Sequence, residues 1–219
     1  MKFSIREQTN IRVKVKERTS INVVAKVLSD IFRPSYYPLL GFAILLMFTY
    51  LSLLPWQLRI GLLFLVYMLT IVVPAMGVYV YRKTCKLTRQ ELLLRHNRLI
   101  PYFLHIICYG MLLRFLYNIH APTFMGGIII ISLLVQCVCT IITFWWKISM
   151  HSAGMGAIIG ALVAYASIFN FNPVWWLCAA ILISGLVNSS RMLLRQHTLW
   201  QVLGGTVVGF LCGLGGIFL

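Results

Sequence analysis

Acidic side chains are nearly absent from this sequence. The 219 residues include four Asp and Glu against 19 Lys and Arg, a net charge of +15. Glu7, Glu17 and Asp30 lie in the N-terminal segment, which leaves Glu91 as the one carboxylate near the later loops. A two-metal carboxylate centre cannot be built from that, nor can a DxxD-type diphosphate–magnesium site. Charge of either sign is scarce: 11% of residues are charged and 60% hydrophobic, too little polarity to cover a soluble core of this length. Cys85, Cys108, Cys137, Cys139, Cys178 and Cys212 form no CxxC pair, and most lie in apolar runs, where Cys is a small apolar residue. Gly-rich phosphate loops are missing too. Gly156–Gly160 and Gly205–Gly209–Gly213 recur at every fourth position, the spacing of close helix packing.

Long apolar runs take the place of all this. A helix needs roughly 20 apolar residues to cross a hydrocarbon core of about 30 Å. The candidate crossings are Pro38–Leu54, Ile60–Tyr81, Ile100–Tyr117, Phe124–Trp146, Ser152–Phe169, Val174–Ser189 and Trp200–Leu219. They predict an all-α, polytopic transmembrane bundle of six to seven helices, forming one domain over residues 37–219. The first run starts behind too much charged chain to be a cleaved signal peptide.

Basic residues are distributed unevenly. Eight precede the first crossing, and Arg82, Lys83, Lys86, Arg89, Arg95 and Arg98 fill the loop after the second. Lys147, Arg191 and Arg195 fall in two later loops on the same side, leaving Arg59 and Arg114 for the other. By the positive-inside rule the populated side is cytoplasmic, in a cell (inner) membrane, with the N-terminus in. That face should attract anionic lipids. Nucleic acid is not an expected partner, because the basic residues border membrane spans and no recognition fold has room to form.

Residues 1–36 form a basic segment of their own. After Thr19–Ser20, apolar residues recur at Ile21, Val24, Val27, Leu28, Ile31 and Phe32, with Lys26, Asp30 and Arg33 on the other face and Pro34 ending the run. The spacing predicts an amphipathic helix of about 13 residues in the membrane interface. An ordinary cytosolic helix packed on the loops is the alternative.

Three separate stretches bring cations and histidines to one membrane face. They are RHNRLIP (95–101), KISMHSAG (147–154) and SRMLLRQHTLWQ (190–201). His151 and His197 each begin a helix, where free N–H groups and positive potential favour a phosphate.

The pattern resembles the type 2 phosphatidic acid phosphatase superfamily of membrane lipid phosphatases, related to vanadium haloperoxidases. That family carries K-x6-R-P, then P-S-G-H, then S-R-x5-H-x3-D. Here Ser190-Arg191, five residues and His197 match the third motif without a gap. Ile148-Ser149-Met150-His151 stands in place of P-S-G-H, keeping Ser and His. Arg98 with Pro101 is what remains of the first motif, and Gln201 replaces the Asp of the third. The likeness covers roughly residues 95–205 and suggests a divergent branch.

The resemblance implies a mechanism without metal or cofactor. His197 would be the nucleophile, forming a phosphohistidine, and His151 would protonate the leaving oxygen and later activate water. Arg191, Lys147 and Arg98 would hold the phosphoryl oxygens, with Arg95, Ser149 and Ser190 beside them. Gln201 lies one turn after His197, so its carbonyl oxygen could accept the imidazole N–H without adding negative charge. The implied substrate is a lipid phosphate monoester, a phosphatidyl-alcohol phosphate or phosphatidic acid. The alternatives are a polyprenyl diphosphate phosphatase and a catalytically silent binder of anionic lipid. A small transporter has no intramembrane carboxylate or broken-helix pair to support it.

Overall fold

A computed structural model describes residues 21–48, 50–86, 99–170 and 172–216. The described residues form helices and turns, with no strand. In chain order the helices are α1 (21–31), α2 (Tyr37–Phe48), α3 (Trp56–Thr84), α4 (Leu99–Asn118), α5 (Thr123–Thr143), α6 (Met150–Phe169), α7 (Val174–Leu193) and α8 (Leu199–Gly215). Helices α3 to α7 are each long and apolar enough to cross a membrane. Helix α8 is a shorter apolar helix of 17 residues.

The first expected crossing takes a different form. Helix α2 has 12 residues and is followed by a 3-10 turn, Tyr50–Leu53, ahead of Pro55. At about 1.5 Å per residue it rises roughly 18 Å, short of a full crossing. Leu54 precedes a proline, whose ring disfavours helical backbone there, and hydropathy alone does not register that stop. Helix α3 is long by the same measure: 29 residues, about 43 Å, with Arg82 and Lys83 in its last turn. A π turn at Met68–Val72 interrupts it just before the buried Pro74, which cannot donate the usual backbone hydrogen bond.

Two apolar clusters hold the bundle, and α5 joins them. Phe42, Leu46, Val66, Leu112, Met125 and Ile129 pack one end of α5 against α2, α3 and α4. Ile131, Val135 and Cys139 pack its other half against Ile148, Ala153 and Ala157. Large apolar side chains face outward on every long helix, as a lipid-facing surface requires. Trp145, Trp146 and Trp200 are exposed at one end of α5, α6 and α8, and Trp175 and Trp176 at the opposite end of α7. Trp favours the two membrane–water boundaries, so these residues mark the levels between which the bundle sits.

Helices α6 and α8 make the most extensive helix–helix contact. Their glycines are the reason. A Cβ at Gly209 would overlap the carbonyl oxygen of Ala153, and one at Gly205 would lie 2.7 Å from the carbonyl oxygen of Ser149. The fourfold spacing is thus a packing stripe that lets the two backbones touch.

Candidate functional site

The site forms where the α5–α6 and α7–α8 loops meet. Arg191 lies in the last turn of α7. Gln196 N donates to Arg191 O at 3.1 Å and Arg195 N to Met192 O at 2.9 Å. With Arg195 at φ 52°, these bonds make a Schellman turn. The chain then enters α8 through Thr198, its extended N-cap residue. Five residues between Arg191 and His197 are the length of that reversal. The motif spacing is therefore a local backbone device that carries a helix-end arginine to the mouth of the next helix.

His197 is buried, and its Nδ1 lies 3.2 Å from Gln201 Oε1. Thr198 N donates to the same amide oxygen at 3.3 Å, the reach-back half of a capping box. A backbone N–H can only donate, so the amide turns its oxygen, not its nitrogen, toward this point. That oxygen can only accept, so His197 Nδ1 carries a hydrogen, and in the neutral ring the lone pair is then on Nε2. Helix capping thereby selects the imidazole tautomer.

The α5–α6 loop docks on the same turn. Ser149 N donates to Gln201 O at 3.3 Å. Ser149 is the N-cap of α6: its Oγ accepts from Ser152 N at 3.4 Å and lies 2.8 Å from Ser152 Oγ. His151 follows in the first helical turn, within electrostatic range of Arg191 and His197. Lys147, half-buried, lies two residues before Ser149 in this loop.

Helix α1 completes the cluster from above. Arg191 Nη1 donates to Ser29 Oγ at 2.6 Å, and His151 Nε2 lies 3.2 Å from Ser29 O. The second acceptor is a carbonyl, so His151 Nε2 carries the hydrogen.

The structure thus brings together His151, Arg191, His197 and Gln201, with Lys147 and Ser149 in the docked loop. The Ser149 and Ser190 hydroxyls serve their own helices, Ser190 Oγ donating to Leu186 O at 2.8 Å. Arg95 and Arg98 lie outside the described residues. Among the described residues, no three His, Cys, Asp or Glu side chains are placed to hold a metal ion. Sequence reasoning missed Ser29. It also missed His105, whose Nδ1 lies 2.8 Å from Pro101 O and whose Nε2 lies 3.1 Å from Ser35 Oγ. Ala25 and Ser29, four apart and buried on a helix of large apolar residues, were the local trace of the first contact.

A family model described as the PAP2 superfamily matches residues 136–217, the stretch that contains α6, α7 and α8. No curated protein and no solved structure matches the chain.

Proposed function

We propose that this chain, which belongs to the PAP2 superfamily, is a membrane lipid phosphatase that hydrolyses a lipid phosphate monoester through a phosphohistidine. One observation carries the reading: Gln201 Oε1 fixes hydrogen on His197 Nδ1, which leaves the Nε2 lone pair at a cluster that includes Arg191 and His151.

In the first step His197 Nε2 attacks phosphorus as the bond to the lipid oxygen breaks. His151, doubly protonated when substrate binds, donates its Nε2 proton to that oxygen and is left neutral, and Arg191 and Lys147 neutralise charge on the phosphoryl oxygens. In the second step His151 takes a proton from water, the water oxygen attacks phosphorus, and the P–N bond breaks to release phosphate. Gln201 orients the ring but adds no charge, and Ser149 and Ser190 hold the ends of α6 and α7. Arg98 and Arg95 belong to this reading as further phosphate contacts, from the sequence pattern alone.

Basic residues support a cytoplasmic site. Ser29 touches Arg191, so α1 with Lys26, and Arg33 just after it, shares one end of the bundle with Lys147, Arg191 and Arg195. A phosphatidyl-alcohol phosphate or phosphatidic acid in that leaflet is the substrate class that fits. The test is a base-quenched single turnover followed by peptide mass spectrometry. Phosphate on the peptide containing His197, absent from His197→Ala, supports the reading, and phosphate on another residue contradicts it.

A further inference from the structure

Ser29 presents two oxygens to two of the groups that the proposed chemistry needs. Its hydroxyl accepts from the Arg191 guanidinium at 2.6 Å, and its carbonyl faces His151 Nε2 at 3.2 Å. The first is where a phosphoryl oxygen would sit, and the second is where the leaving oxygen would receive its proton.

We propose that Ser29 is a built-in occupant of the phosphate site, and that α1 is a lid which a lipid phosphate displaces in order to bind. This rests on reading Arg191 and His151 as the phosphate-holding and proton-donating groups.

The build of α1 fits a lid. It meets the bundle through small side chains, the buried Ala25 and Ser29. Most of its large residues point away: Ile21, Val23, Val24, Val27 and Ile31 are 50–61% exposed, and Leu28 is half-buried. An outward apolar face of that kind seats in the bilayer interface, so α1 can leave the site without leaving the membrane. The junction after α1 is anchored. Arg33 is extended (φ −70°, ψ 139°) ahead of Pro34, Ser35 Oγ lies 3.1 Å from His105 Nε2, and Tyr37 OH donates to Phe32 O at 2.9 Å. The Tyr37 ring lies so close to Gly154 that a Cβ there would overlap it. A fixed junction and a lightly held helix make a hinge and a flap.

Displacement has a direction. A phosphate oxygen is a stronger acceptor for a guanidinium than a neutral hydroxyl is, so the dianion outcompetes Ser29 at Arg191. Because only open molecules bind, apparent affinity is the intrinsic affinity multiplied by the fraction that are open.

The experiment measures binding of inorganic phosphate to the full chain in lipid nanodiscs, with hydrogen exchange of residues 21–33 followed alongside. Ser29→Ala removes the competing hydroxyl and should bind phosphate about three- to tenfold tighter. Ser29→Asp, whose carboxylate pairs with Arg191, should bind it weaker by at least as much. Saturating phosphate should speed exchange across 21–33 in the wild type. Unchanged or weaker binding by Ser29→Ala, or exchange that phosphate does not alter, overturns the lid. Arg191→Ala separates the two readings. If it binds phosphate as well as the wild type, the site itself is misassigned; if binding needs Arg191 but ignores Ser29, the lid alone fails.

Discussion

His197 and Gln201 share a hydrogen bond of 3.2 Å, and the amide oxygen that makes it is held in place by Thr198 N at 3.3 Å. Helix capping and ring orientation therefore depend on one atom. Gln201→Ala should lower kcat about ten- to a hundredfold, as loss of an orienting partner does, and cost about 1 kcal/mol of stability from the cap. Gln201→Asp should preserve or raise kcat, because a carboxylate would also stabilise positive charge growing on the ring. Near-silence in both variants would separate this bond from catalysis. Full activity in Gln201→Ala with collapse in Gln201→Asp would do the same.

His197→Ala and Arg191→Ala should each abolish turnover while expression stays normal, since both residues lie at a polar helix end and leave no large core cavity. His151→Ala should cost less with p-nitrophenyl phosphate than with a lipid phosphate. The nitrophenolate leaves without a proton, so a general acid is superfluous for it. Equal losses on the two substrates would assign His151 another role.

Gly209 is where α8 meets the Ala153 carbonyl. Gly209→Leu should push α6 from α8, separating His151 from His197 and destroying activity and thermal stability together. A variant with wild-type melting and turnover would show that the two histidines are not positioned by this contact.

Arg195 turns the chain at φ 52°, a backbone region that costs a residue with a Cβ about 1 kcal/mol and glycine little. Arg195→Gly should raise the thermal midpoint by about 2–4 °C and leave KM unchanged, because the exposed side chain makes no part of the proposed site. A rise in KM would instead assign Arg195 to substrate.

The parts of this molecule legible in its sequence are those that depend on near neighbours. Apolar runs announced α3 to α7, and the Gly205–Gly209–Gly213 spacing announced a packing face. The Arg191–His197 interval is fixed by a helix end and a helix start only a few residues apart. Gln201 one turn after His197 could be paired with it for the same reason. What stayed hidden was long-range or a matter of backbone detail. The small pair Ala25 and Ser29 marks a packing face but not its partner, Arg191, 162 residues away from Ser29, and Ser35 and His105 are similarly remote in sequence. The apolar run 38–54 reads as one crossing, because hydropathy does not register the 3-10 turn before Pro55. On α1 the periodicity identified an amphipathic helix, but the face against the protein is the small one, Ala25 and Ser29, and the large apolar face is exposed.

The most direct measurement of the central claim is phosphate release by purified protein from a panel of lipid phosphates in EDTA, wild type beside His197→Ala. The account predicts metal-independent release from a phosphatidyl-alcohol phosphate or phosphatidic acid by the wild type, and a loss of orders of magnitude in the variant. A His197→Ala enzyme that keeps more than about a tenth of wild-type activity, or a wild type inactive on every lipid phosphate tested, would contradict it.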